Sequence, residues 1–113
     1  MNLENSRQQM RKGILEFCIL SILSKGEAYP SDIISQLKNA KLIVVEGTLY
    51  PLLTRLKNEG LLIYRWEESL SGPPRKYYRL SQSGVEFLAS LNQTWNELVI
   101  AVNTVSGKSD NKE

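Results

Sequence analysis

Thr48-Leu49-Tyr50-Pro51-Leu52-Leu53-Thr54-Arg55-Leu56-Lys57-Asn58-Glu59-Gly60 runs directly into Leu61-Leu62-Ile63-Tyr64-Arg65-Trp66-Glu67, and the change of period between the two decides the fold. In the first stretch Leu49, Leu52, Leu53 and Leu56 recur at the spacing of a helix with one apolar face. Thr48 is a suitable N-cap, which puts Pro51 in the first turn, where a missing N–H does little harm. A start at Glu46 would instead set Pro51 deeper and predict a kink there. Asn58-Glu59-Gly60 closes the helix, with Gly60 in the left-handed position just past its end. From Leu61 the β-branched and aromatic residues predict a strand. Ser71-Gly72-Pro73-Pro74 is a turn signal, and Arg75-Lys76-Tyr77-Tyr78-Arg79-Leu80 is the return strand. The hairpin tip is expected to span roughly four to six residues.

Toward the N-terminus, Ile14, Cys18 and Ile22 recur at helical spacing with Leu15, Ile19 and Leu23 beside them. One amphipathic helix is predicted over about residues 10–24, ended by Lys25-Gly26. The first thirteen residues are polar and read as frayed, or as an arm that packs on a partner. Pro30 or Ser31 opens a second helix, with Asp32 at the positive end of its dipole and Ile33, Ile34 and Leu37 as its apolar stripe. It is expected to end near Asn39-Ala40. Toward the C-terminus, Ser81 opens the last helix. Leu88, Leu91, Trp95, Leu98, Val102 and Val105 alternate by three and four, an a/d seam of the kind that joins two helices. Phe87, Val99 and Ile100 lie off the seam and are expected to pack on the rest of the domain. The polar tail, residues 107–113, is expected to be disordered.

The order helix, helix, helix, hairpin, long helix predicts a mainly α chain with a small β-hairpin. That is a winged helix-turn-helix over residues 1–80, followed by a long C-terminal dimerisation helix over residues 81–106. Its second and third helices would be the helix-turn-helix pair and the hairpin the wing. The third helix is then expected to enter a major groove of DNA by its N-terminal residues, Glu46, Gly47, Thr48, Tyr50 and Pro51. Arg55 and Lys57, further along, suit phosphate contacts. Arg75 and Lys76 sit where a wing tip reaches the backbone or a neighbouring minor groove. Ser31, at the start of the second helix, completes the DNA-binding candidates. Each has a plainer reading: Tyr50 as core, and Arg55 and Lys57 as solvated surface charges. Tyr77 and Tyr78 alternate across the strand, so one should be buried and one exposed. Trp66 is expected to cover the hairpin base. Trp95 on the seam reads either as dimer core or as a ligand platform.

The bulk properties bound the function. A length of 113 residues is one domain. A net charge of +2 argues only weakly for nucleic acid, so the position of the charges carries more weight. The lone Cys18 allows no intrachain disulfide and reads as a small buried hydrophobe. With no histidine, the commonest general base and metal ligand is missing. There is no phosphate-cradling glycine loop and no cysteine pair with metal spacing. Glu67 and Glu68 are adjacent in a strand and point apart. The expectation is therefore no enzyme, no cofactor and no metal. The longest apolar stretch, residues 14–23, is interrupted by Glu16 and Ser21 and is too short to span a bilayer. With no apolar leader at the N-terminus, a cytoplasmic location is expected. The low charge and Glu46 leave one alternative, a winged-helix protein–protein adaptor that does not bind DNA.

Two motifs together resemble a known family. The run Gly47-Thr48-Leu49-Tyr50-Pro51-Leu52-Leu53-Thr54-Arg55-Leu56-Lys57-Asn58-Glu59-Gly60-Leu61-Leu62 resembles the recognition-helix signature of PadR-type regulators. Arg75-Lys76-Tyr77-Tyr78-Arg79-Leu80-Ser81, followed by Gly84, is similar to their wing. Gly13-Ile14-Leu15-Glu16 and Tyr29-Pro30-Ser31-Asp32 match the starts of their first two helices, so the resemblance covers roughly residues 8 to 105. The single C-terminal helix resembles the short subfamily. The resemblance implies a homodimeric repressor that binds a pseudopalindromic double-stranded operator and releases it on a ligand signal. Some short members carry a tryptophan on the dimerisation helix, where two copies flank a pore in which flat drugs stack. Trp95 falls at that place, with Leu88 and Leu91 as implied neighbours of a small aromatic effector. Val44-Val45 before Glu46 departs from the family's small polar cap.

Overall fold

The computed structural model describes residues 1–108, so residues 109–113 of the expected disordered tail lie outside it. Seven elements follow in order: α1 (Leu3–Lys12), α2 (Leu15–Leu23), α3 (Pro30–Asn39), α4 (Glu46–Asn58), β1 (Leu62–Glu67), β2 (Arg75–Leu80) and α5 (Gln82–Ser106). The fold is a winged helix-turn-helix with a long C-terminal helix. The pair is α3 and α4, and the antiparallel β1–β2 hairpin is the wing.

One helix had been expected across residues 10–24, and two are found. The chain turns at Gly13, a poor helix former, and the two halves differ in character. α2 buries Leu15, Ile19, Leu20 and Leu23, whereas α1 buries no residue. The N-terminal segment is thus a capped helix and is not frayed. The Asn2 side chain accepts from the N–H groups of Glu4 and Asn5, satisfying two of its free donors.

The core collects Ile19 and Leu20 of α2, Ile33 and Leu37 of α3, Leu49, Leu53 and Leu56 of α4, and Leu62, Tyr78 and Leu80 of the hairpin. α4 begins at Glu46, with extended Val45 as an N-cap that offers no side-chain bond. Buried Val44 anchors the chain here, so Thr48 lies inside the first turn and Pro51 within the helix. Pro51 has no N–H for the Gly47 carbonyl, but Gly47 is exposed and water can serve it. At the other end Gly60 takes φ 82° and the Leu61 N–H donates to the Leu56 carbonyl, so two buried leucines meet across the cap.

The hairpin pairs Leu62 with Leu80 through Glu67 with Arg75, leaving a loop of seven residues, 68–74. The loop is longer than expected because Pro73 and Pro74 have no N–H to extend the ladder. Trp66 stands opposite Lys76 near the tip and is 60% exposed, so it does not cover the base; Leu62 and Leu80 do. Ala28 adds a one-residue bridge to Tyr78, with two backbone hydrogen bonds of 3.0 and 2.9 Å.

α5 is joined to the end of α4. The Ser81 hydroxyl donates to the Gly60 carbonyl at 2.6 Å and accepts from the Gly84 N–H at 3.0 Å. Gly84 packs so closely on this turn that a Cβ there would lie 2.1 Å from the Leu61 carbonyl oxygen. Beyond Leu88 the helix is largely exposed. Phe87 and Ile100, expected to pack on the domain, are 45% and 57% exposed.

Candidate nucleic-acid interface

The buried stripe of α4, Leu49, Leu53 and Leu56, fixes which residues face out. At helical periodicity Gly47, Pro51, Thr54 and Asn58 lie opposite it, and all four are exposed. Thr54 and Asn58 join the candidates only here, because the residues at the start of a helix do not point to them. The signal that would find them is their spacing from Gly47 and Pro51. Tyr50, 46% exposed, and Lys57 lie on the flank toward the wing. Thr48 lies on the opposite flank, where it lines an open groove with Arg11 and Lys12 of α1.

Between α4 and the wing runs a valley floored by aromatic rings. Tyr64 packs on buried Tyr78 at 5.7 Å and edge-on to Trp66 at 6.0 Å. Burial raises the Tyr78 hydroxyl above the ordinary phenol range, with Tyr64 and Tyr50 nearby adding to the effect. The Lys57 ammonium sits 5.8 Å from the Tyr64 ring centre and the Lys76 ammonium 4.5 Å from it. Recognition helix and wing therefore converge on one ring.

Arg75 and Lys76 do not act as a pair, because neighbours in a strand point to opposite faces. On the outer face the Arg75 guanidinium lies 4.7 Å from the Tyr29 ring centre. Tyr29 stacks on Tyr77 at 4.4 Å and 13°. Arg65 lies 4.8 Å from the Tyr77 ring and donates two hydrogen bonds, of 3.2 and 3.1 Å, to Glu27. Arg65 also pairs with Glu67. The Arg65 hydrogen bonds hold the Glu27 carboxyl below the ordinary glutamate range. Tyr29 precedes α3, and Asp32 caps the helix by accepting from the Tyr29 N–H at 3.0 Å. Ser31 is exposed in the first turn beside this stack.

Arg55 is engaged within the protein. Its guanidinium approaches Glu16 of α2 at 2.7 Å and Glu59 at 3.4 Å. The Glu16 contact is a close ion pair without the alignment of a hydrogen bond.

On α5 the seam divides. Leu88 is 7% exposed within the core, Leu91 is half-buried, and Trp95, Leu98, Val102 and Val105 are exposed. Trp95 touches Phe17 of α2 with ring centres 6.0 Å apart, a neighbour the sequence did not single out. Among the described residues no cluster of side chains is arranged to hold a metal, and no helix is long and apolar enough to cross a membrane.

A helix-turn-helix pair with an exposed second helix and a basic wing beside it defines a winged-helix transcriptional regulator. The chain belongs to the transcriptional regulator PadR-like family, whose model matches residues 19–90. A PadR-like transcription factor from Bacteroides fragilis is 60% identical over 89% of this chain and 98% of its own, with a TM-score of 0.77. A PadR family regulator from Eggerthella lenta is 30% identical over 95% of this chain and 94% of its own, with a TM-score of 0.86. Bacillus subtilis PadR, solved in complex with operator DNA, is 30% identical over 69% of this chain and 46% of its own, with a TM-score of 0.64.

Proposed function

We propose that the chain is a homodimeric repressor that binds a pseudopalindromic operator and leaves it when a small planar aromatic ligand binds. The observation that carries DNA binding is the exposed stripe Gly47, Pro51, Thr54 and Asn58, flanked by Tyr50 and Lys57 and faced by Lys76 across the valley. Glycine and proline let the helix backbone approach the groove closely, while Thr54, Asn58 and Tyr50 offer hydrogen bonds to base edges. Thr48 and Ser31 lie at the margins, within reach of phosphates. Arg75 supports the wing. Arg55 reaches a phosphate only by leaving Glu16 and Glu59.

The dimer is supported by α5, whose Leu98, Val102 and Val105 expose an apolar seam that is left uncovered among the described residues. Residues 81–106 then serve as the dimerisation element beside a DNA-binding unit over residues 1–80. The ligand reading is supported by Trp95, exposed beside the Phe17 ring of α2, with half-buried Leu91 one turn before it at the root of that seam. A twofold dimer places its recognition helices on half-sites about one helical turn apart.

The test is a mobility shift with the DNA upstream of the protein's own coding sequence, across a salt series. Retention at low salt that falls linearly on a log–log plot supports the reading. No retention at low salt refutes it and favours an adaptor. In a Trp66→Phe background, quenching of Trp95 by a planar polycyclic dye, with release of the DNA, supports the ligand. Full dye affinity in Trp95→Ala sinks it.

A further inference from the structure

We infer that the cations of this interface have two different jobs: Lys57 and Lys76 form a phosphate seat, and Arg75 is a positioning residue that sets the angle of the wing. The inference rests on the DNA-binding reading above.

Three arginines around the wing and α4 already have carboxylate neighbours. Arg55 pairs with Glu16 and Glu59, Arg65 with Glu27 and Glu67, and Arg79 lies 3.9 Å from Glu27. An arginine paired with carboxylates must break an ion pair before it can meet a phosphate. Lys57 and Lys76 differ. Among the described residues neither lies within ion-pair distance of a carboxylate. They approach one ring, Tyr64, from α4 and from the wing. Lys76 also lies 5.5 Å from the exposed Trp66 ring. Two compact ammonium charges are thus held, uncompensated, at the mouth between recognition helix and wing. A DNA phosphate supplies the missing negative charge there, and a lysine suits it as a point charge.

Arg75 has no carboxylate partner among the described residues either, but its plane lies on Tyr29. It ends a stack that runs Glu27, Arg65, Tyr77, Tyr29, Arg75 along the outer face of the sheet. Two members, Glu27 and Tyr29, come from the segment leading into α3; Arg65, Tyr77 and Arg75 come from the wing. The Ala28–Tyr78 bridge anchors the same segment. The stack therefore fixes the tilt of the wing on the helix-turn-helix, and with it the distance between Lys76 and Lys57. Sequence neighbours take different roles because the strand sends their side chains to opposite faces.

The test measures binding of a fluorescein-labelled DNA duplex of mixed sequence across a salt series, since phosphate contacts are independent of sequence. Lys57→Ala and Lys76→Ala should each make the log–log slope shallower by about one. Arg75→Ala should weaken binding about two- to five-fold at every salt concentration, the worth of one exposed cation–π contact, with the slope retained. Arg75→Gln, whose neutral amide keeps packing on Tyr29 but not the cation–π attraction, should fall between Arg75→Ala and the parent, again with the slope retained. Tyr29→Leu should reproduce Arg75→Ala, and the double variant should add little to either. Thermal melts of each variant establish that the fold is intact. The inference is overturned if Arg75→Ala or Arg75→Gln flattens the slope, or if the lysine variants leave the slope untouched. A wild-type protein with no salt-dependent binding overturns the DNA reading itself and this inference with it; wild-type binding with the wrong variant pattern overturns the inference alone.

Discussion

Gly84→Ala is expected to destabilise the protein, although alanine is the better helix former. The added Cβ would stand 2.1 Å from the Leu61 carbonyl oxygen and 3.1 Å from its carbon. Both atoms belong to the backbone of the turn that ends α4, and that turn is held by the Gly60 cap and the Ser81 hydrogen bonds. No side chain can swing aside, so α5 must lift by on the order of an ångström. Overpacking of this kind costs about 3 kcal/mol at the upper end of its usual range. The helix-propensity gain of alanine over glycine returns about 1 kcal/mol. The net loss is about 2 kcal/mol, or a fall in Tm of roughly 10 °C for a domain of this size. Thermal unfolding by circular dichroism, at one fixed protein concentration, reads it directly. The control is Gly47→Ala, exposed on α4 with no atom within 4 Å of the added Cβ, which should raise Tm slightly. A Gly84→Ala protein that melts at or above the parent would refute the close approach of α5 to the α4 turn. Because that joint ties the C-terminal helix to the recognition helix, the same variant should also weaken operator binding.

Three other outcomes are expected. Glu16→Gln with Glu59→Gln removes both carboxylates from Arg55 on the recognition helix; because these side chains are partly exposed, stability should fall by less than about 1 kcal/mol for each pair lost. The salt slope of DNA binding should steepen in that double variant, and an unaltered slope would show that Arg55 is silent even when unpaired. The Glu27 carboxyl should titrate below the ordinary glutamate range, since Arg65 hydrogen-bonds its charged form. Its support of the stack is then complete above the ordinary glutamate pKa and is lost as pH falls through the lowered one; a carbon-13 titration midpoint at or above the ordinary value argues against the contact. Burial raises the Cys18 thiol above its ordinary range, so a disulfide reagent at neutral pH should label it more slowly than free cysteine. Equal rates would place that side chain outside the α2 packing.

Much of the fold was legible because its signals are local. The apolar period of α4, the glycine past its end, the proline-rich turn and the Ser81 cap each act within a few residues. The exposed stripe of α4 was half legible: the buried leucines imply it, but the usual emphasis on the helix start hid Thr54 and Asn58. The division of α1 from α2 was missed because the apolar period extends across Gly13, while burial begins only after it. Which charges are free was not legible at all. Glu16 and Arg55, or Glu27 and Arg65, lie far apart in the chain, and only the packing of α2 on α4 and of the wing on the α3 approach brings them together. Composition counts Arg75 and Lys76 as one basic pair; the pleat of the strand separates them, and what each then meets decides its role. The sequence alone determined a winged helix-turn-helix with a long final helix, since period, caps and turns are properties of neighbours. Only the tertiary structure decided which cations are left without a carboxylate neighbour, because a charge is neutralised by whatever the fold sets beside it.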